Sequence, residues 1–230
     1  MDTHTRLRFQ PVSPGVIPIT NSGDVFSVAH VYCVGRNYAA HAREMGSTER
    51  EPPFFFTKFS DTVVPSSTVL CYPPGTQDFQ YEGELVVAIG ACGHRVSKDD
   101  AERLIYGYAA GLDMTRRDLQ LAAREKGRPW DLGKNFAQSA PVGDLRIRSE
   151  PFGDGTIQLR LNGVVKQSAN LRDMIWSVPE ILSYLSAYYE LRPGDLVFTG
   201  TPAGVGRVAR GDQIEVNISG LPALQVRVAA

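Results

Sequence analysis

Residues 81–90 read YEGELVVAIG, and this stretch both sets the fold and raises a chemical question. Leu85 to Ile89 form an unbroken apolar run, the pattern of a strand covered on both faces. Glu82 and Glu84 lead into it with one glycine between them. Side chains on a strand repeat their direction every second residue, so both carboxylates project from one face. Like charges that close repel, and burial raises the cost of each. The stretch therefore predicts a buried strand whose mouth holds two glutamates in need of a cation.

The chain around it reads mainly as strands: VYCVG (31–35), FFFTK (54–58), STVLCY (67–72), YGYAAGLDMT (106–115), DLVFTG (195–200), DQIEVNIS (212–219) and LQVRVA (224–229). TIQLRLNGVVKQ (156–167) places Asn162-Gly163 between two alternating runs, a hairpin signal. Helices are predicted over residues 37–45, stopped by Gly46, and after the Ser97 cap with its acidic first turn. Two more are predicted, over RRDLQLAAREKG (116–127) and over VPEILSYLSAYYE (178–190). The fold class is α+β and β-dominated. Residues 31–230 form one domain, and the Pro/Gly/Ser-punctuated residues 1–30 form a lead-in arm packed on it.

Composition sets limits on partners. The 230 residues are 43% hydrophobic and 21% charged, the mix of a globular protein with a sizeable core. A net charge of −1 without a basic cluster gives no footprint for nucleic acid or an anionic membrane. No apolar run approaches ~18 residues and MDTHTRLRFQ has no apolar core, so a cytoplasmic protein is expected. Cys33, Cys71 and Cys92 are odd in number and spaced unlike a zinc site; they read as small buried thiols.

Common catalytic signatures are missing. There is no G-x-S-x-G elbow, and the glycines of GTPAGVG (200–206) are not followed by a helix-opening Lys-Ser/Thr. His41 and Glu44 share a predicted helix three residues apart, so they face the same way. A carboxylate beside an imidazole raises its basicity, as a general base needs; an exposed surface pair has the same spacing and is commoner. Asp113 closes the strand 106–115 just before a helix and is the natural third acid for the glutamates. Hard divalent ions such as Mg²⁺ take carboxylate oxygens and keep waters for substrate. Each acid taken singly also fits a surface strand position paired with lysine or arginine. Lys134 reads as a lone cation in a Gly/aromatic loop.

Seven motifs, in order, resemble the fumarylacetoacetate hydrolase family, and its short acylpyruvase and fumarylpyruvate hydrolase members most. They are VGRNYAAHAREM, PFFFTK, YEGELVVAIG, GYAAGLDMTRRDLQ, GRPWDLGKNF-x-x-SAPVG, LNGVVKQ and GDLVFTGTPAGVG. The resemblance implies a mixed β-sandwich roll of the family's C-terminal-domain type, usually a homodimer. It implies Mg²⁺ or Mn²⁺ on Glu82, Glu84 and Asp113, a His41–Glu44 dyad on a lid helix, and Lys134 reaching into the site. Arg36, Arg117, Gln120 and Thr201 match positions lining the substrate pocket. The expected activity is hydrolysis of a carbon–carbon bond in a 2,4-dioxo acid, foremost fumarylpyruvate to fumarate and pyruvate in aromatic-compound catabolism. Oxaloacetate decarboxylation or 2-oxo acid isomerisation at the same site is the alternative. Gln80 stands where many relatives carry His or Asp, and it brings no charge to the glutamates beside it.

Overall fold

The structure, a computed structural model, describes residues 8–10, 12–39, 51–147, 152 and 154–230. Its centre is β8 (Gly83–Ile89), in which all seven residues are buried. β8 lies between β15 (Leu196–Phe198) and β9 (Ile105–Leu112), antiparallel to both. The sheet continues past β15 to β3 (Val31–Val34) and the edge strand β4 (Phe55–Lys58). Past β9 it continues to β11 (Ala140–Val142) and β5 (Val63–Pro65), with β12 (Arg146–Ile147) also on β9. The β3–β15 and β5–β11 pairs are parallel, so the sheet is mixed.

A second sheet runs β14 (Val164–Asn170), β13 (Thr156–Leu161), β17 (Gln213–Ile218), β18 (Leu224–Val228) and β6 (Val69–Leu70). The two-residue period of β8 divides its side chains between two cores. Leu85, Val87 and Ile89 join Leu159, Val216 and Leu224 of the second sheet in one cluster, which makes the pair of sheets a sandwich. Val86 and Ala88 face the other way, into a cluster that also holds Ile17 and Phe26 of the hairpin β1 (Val16–Pro18) and β2 (Val25–Ser27). A small third sheet, β10 (Thr115–Arg116), β7 (Phe79–Tyr81) and β16 (Gly206–Arg207), sits at the mouth of β8.

Among the described residues the α-helices are short: α1 (Lys98–Ala101), α2 (Arg117–Glu125), α3 (Asp131–Lys134) and α4 (Val178–Ser186). The Ser97 side chain caps α1 by accepting from the Asp100 N–H, as its sequence predicts. α4 begins with Ser177 and Glu180 in a reciprocal cap and sends Ile181, Leu182 and Leu185 into the first core. Leu182 is fully buried there, so Leu182→Ala should destabilise the fold by about 2–5 kcal/mol through lost burial and a cavity. Urea denaturation would show it as a lowered midpoint at unchanged slope.

Several sequence expectations shift. The strand expected over 67–72 shrinks to Val69–Leu70, because Ser67 sits at φ 67° and the Cys71 N–H is taken by the Gln138 side chain. Cys71 and Cys92 are exposed on loops, and of the three thiols Cys33 alone is buried. α4 stops at Ser186, short of Glu190, where the Tyr188 and Tyr189 N–H groups both turn back to the Leu185 carbonyl. Tyr38 bridges Met174, so the helix expected from Asn37 starts later, at Ala39; the rest of it, from residue 40 on and with His41 and Glu44 included, lies outside the described residues. The hairpin at Asn162-Gly163 forms as expected, both residues at positive φ (50° and 80°).

Candidate metal centre and cavity

Antiparallel pairing of β8 with β9 sets Gly83 against Leu112. The carboxylates flanking these two residues, Glu82, Glu84 and Asp113, therefore meet at one end of the sheet. One oxygen from each lies within 4.8 Å of the others, and all three residues are buried. Their exposures are 5%, 2% and 1%, so water cannot screen their repulsion. Burial first, and then the charges of Asp113 and Glu82, push the Glu84 carboxyl well above the usual range, against Lys134 and the Gly200 N–H, which lower it.

Among the described residues, three cations answer the three acids. The Lys134 ammonium donates to Glu82 Oε2 at 2.7 Å, Asp113 Oδ2 at 2.6 Å and Thr115 Oγ1 at 2.8 Å. Burial alone would lower the Lys134 pKa, but Asp113 and Glu82 outweigh it and hold the pKa above the lysine value. Arg117, at the start of α2, donates to Glu82 and to Gln120. Lys58 is 3% exposed and donates to the carbonyls of Met114 and Lys134. Its Nζ stands 2.9 Å from Asp113 Oδ1, out of line for a hydrogen bond, so that oxygen has no hydrogen-bond partner among the described residues. A buried carboxylate oxygen with a spare lone pair, beside two further acids, suits a hard divalent ion.

The surrounding backbone holds this arrangement. Gly200 donates its N–H to Glu84 Oε2 at 2.7 Å from φ 95°, where a Cβ would lie 2.7 Å from the Asn37 Cβ. Only glycine combines that conformation with that contact. Thr201 Oγ1 donates to the Gly83 carbonyl and accepts from Gln167, whose Oε1 in turn accepts from the Gly83 N–H. Gln80 accepts from Arg117 Nε at 2.9 Å, so this uncharged residue orients Glu82 indirectly, through the arginine.

Glu82, Asp113, Arg117, Gln120, Lys134, Thr201 and Arg36 line one cavity of about 20 Å³, and Glu84 sits beside its acids. A second chamber of about 480 Å³ shares Phe56, Trp130 and Lys134 with it. The residues expected in the site are thus brought together, apart from His41 and Glu44, which lie outside the described residues. Two expectations about Lys134 change: it ends the one-turn helix α3 instead of lying in a loop, and among the described residues it is one of three cations at the acids. Sequence reasoning passed over Lys58 and Gln167. Each closed a quoted motif, PFFFTK and LNGVVKQ, and a polar residue ending a strand motif was the available signal.

A mixed sandwich with three acids at the mouth of its central strand defines the class. The chain belongs to the fumarylacetoacetate hydrolase family, whose "Fumarylacetoacetate (FAA) hydrolase C-terminal" domain matches residues 30–229. It is 50% identical over 179 residues to a fumarylpyruvate hydrolase of Ralstonia sp., covering 77% of this chain and 93% of that protein. A crystal structure of fumarylpyruvate hydrolase from Pseudomonas aeruginosa in complex with Mn²⁺ and pyruvate superposes with a TM-score of 0.95 at 51% identity, covering 97% of this chain and 99% of that one. A mitochondrial oxaloacetate tautomerase of Homo sapiens is 39% identical over 202 residues, covering 86% and 91%.

Proposed function

We propose that this protein hydrolyses the carbon–carbon bond of an acylpyruvate, with fumarylpyruvate, yielding fumarate and pyruvate, as its substrate. The observation that carries this reading is the buried, charge-compensated triad of Glu82, Glu84 and Asp113 opening onto a cavity lined by donors. It is supported by the likeness to a fumarylpyruvate hydrolase described with Mn²⁺ and pyruvate. The triad would hold Mg²⁺ or Mn²⁺, which when bound supplies Lewis-acid stabilisation of negative charge on substrate oxygen. Arg117 and Gln120 present donors that orient the anionic dioxo acid and keep its reacting carbonyl in place, while Lys134, whose three N–H groups go to Glu82, Asp113 and Thr115, gives the cavity wall its positive charge. The His41–Glu44 dyad takes a proton from water, and the hydroxide adds to the acyl carbon. The bond from that carbon to the pyruvate methylene then breaks, its electron pair leaving with the three-carbon half as an enolate. Protonation of the enolate carbon gives pyruvate. Aromatic-compound catabolism in the cytoplasm fits such a substrate, and family likeness supports a homodimer in which residues 31–230 form the catalytic domain.

Keto–enol chemistry on oxaloacetate is a second reading, favoured by the oxaloacetate tautomerase relative. The test is a panel of fumarylpyruvate, acetylpyruvate and oxaloacetate with Mg²⁺, with Mn²⁺ and with excess EDTA. Equimolar fumarate and pyruvate, abolished by EDTA, are expected. Oxaloacetate turnover without cleavage of either acylpyruvate would replace the first reading with the second.

A further inference from the structure

We infer that Lys58 sets the strength of the metal centre: its charge at Asp113 holds the affinity for the divalent ion below what the three acids alone would give. The inference rests on the metal reading of the acid triad and adds to it a residue outside the ion's own ligands. Of the four residues of β4, Lys58 alone is buried, and its side chain is 0% exposed. An amine this deep needs acceptors, and it finds them on the backbone. Nζ donates to the Met114 carbonyl at 3.3 Å and to the Lys134 carbonyl. The face of the Phe136 ring adds to them, its centre 5.6 Å from Nζ. None of these contacts involves an acid, so the ammonium keeps its seat whether or not an ion is on the carboxylates.

The other two cations are placed differently. Lys134 spends its three N–H groups on Glu82 Oε2, Asp113 Oδ2 and Thr115 Oγ1. Arg117 donates to Gln80, Gln120 and Glu82. These bonds leave Asp113 Oδ1 untouched. Lys58 meets that oxygen by charge alone: Nζ is 2.9 Å away without the alignment of a hydrogen bond, and Oδ1 has no hydrogen-bond partner among the described residues.

Oδ1 is therefore the oxygen of Asp113 whose lone pairs are open to an ion, and the one that an ion has to share with a neighbouring positive charge. Both side chains are buried, so water does little to screen the repulsion between the ion and the ammonium. Neutralising Lys58 removes that repulsion and leaves the full charge of Asp113 to the ion.

The experiment titrates Mn²⁺ calorimetrically into chelator-stripped wild type, Lys58→Gln, Lys58→Met and Lys58→Arg, and records melting temperatures with and without the ion. Lys58→Gln and Lys58→Met should bind Mn²⁺ at least about tenfold more tightly than wild type, a gain of about 1.4 kcal/mol. Without the ion both should melt below wild type, because two backbone carbonyls lose a donor and Asp113 loses its counter-charge. Lys58→Gln retains a side-chain donor for one of those carbonyls and is the milder of the two. In both, the rise in melting temperature on adding Mn²⁺ should exceed that of wild type. Lys58→Arg keeps the charge and should bind no more tightly than wild type, and it remains a test if neither neutral variant folds. Lowered melting temperatures with unchanged Mn²⁺ affinity would make Lys58 a structural lysine only. Weaker binding in the neutral variants would make it an organiser of the acids. Either result, or tighter binding by Lys58→Arg, would overturn the inference while leaving the metal reading intact. Wild type that takes up no Mn²⁺ would overturn both.

Discussion

Glu84→Gln is expected to lower kcat/KM by about 10³-fold or more while leaving the fold at least as stable as wild type. The size follows from the several kcal/mol that a Lewis-acid cation supplies, at about 1.4 kcal/mol per tenfold. Glu84 is the most informative of the three acids to change. Glu82 and Asp113 are held by Arg117, Lys134 and Lys58, so substituting either also frees buried cations. Glu84 Oε2 accepts instead from the Gly200 N–H, a bond that a glutamine oxygen can also accept. The substitution removes a buried charge that Asp113 and Glu82 repel, so the metal-free variant should melt at or above the wild-type temperature. The rise in melting temperature on adding Mn²⁺ should shrink with the weakened binding. Wild-type activity together with an undiminished Mn²⁺ shift would remove Glu84 from the metal site.

His41→Ala should reduce kcat by roughly 10²–10⁴, the span of general acid–base catalysis, while the Mn²⁺ shift stays that of wild type. The two substitutions thus separate by opposite patterns: one loses the metal, the other keeps it and loses the base. Glu44→Gln should follow His41→Ala in direction, because the carboxylate raises the imidazole's basicity. Any turnover of oxaloacetate should survive Glu44→Gln far better than hydrolysis does, since it needs no activated water. Parallel losses in both reactions would instead place the dyad on a shared step, and loss of the Mn²⁺ shift in His41→Ala would make His41 a ligand.

Legibility in the sequence followed the distance over which each feature is decided. The central strand, the hairpin and the Ser97 cap are settled within a few residues, and each was read from its own pattern. The acids were legible too, because spacing by two on a strand and a place at a strand end are local facts. Lys58 was not. A lysine closing FFFTK is an ordinary exposed strand end until the carbonyls of Met114 and Lys134, 56 and 76 positions away, gather around it. Gln167 is the same case, with partners 84 and 34 positions distant at Gly83 and Thr201. The segment holding Lys134 reads as a loop because Pro129 and Gly133 break helical patterns. Gly133 instead lets α3 press against α2, where a Cβ would come within 2.8 Å of Gln120. Lys134 enters the site through that contact.

The pairing of three acids with three bases has a consequence for how the protein matures. A centre built from bare carboxylates would resist folding until an ion arrived to quench it. Here Lys58, Lys134 and Arg117 already serve as internal counter-ions, so the chain can complete its fold first and take up its ion afterwards. Loading then becomes a late and reversible event, governed by the free ion concentration around the finished protein. A preparation stripped by chelator should be an intact reservoir of dormant enzyme, restored by simple addition of the ion without a refolding step.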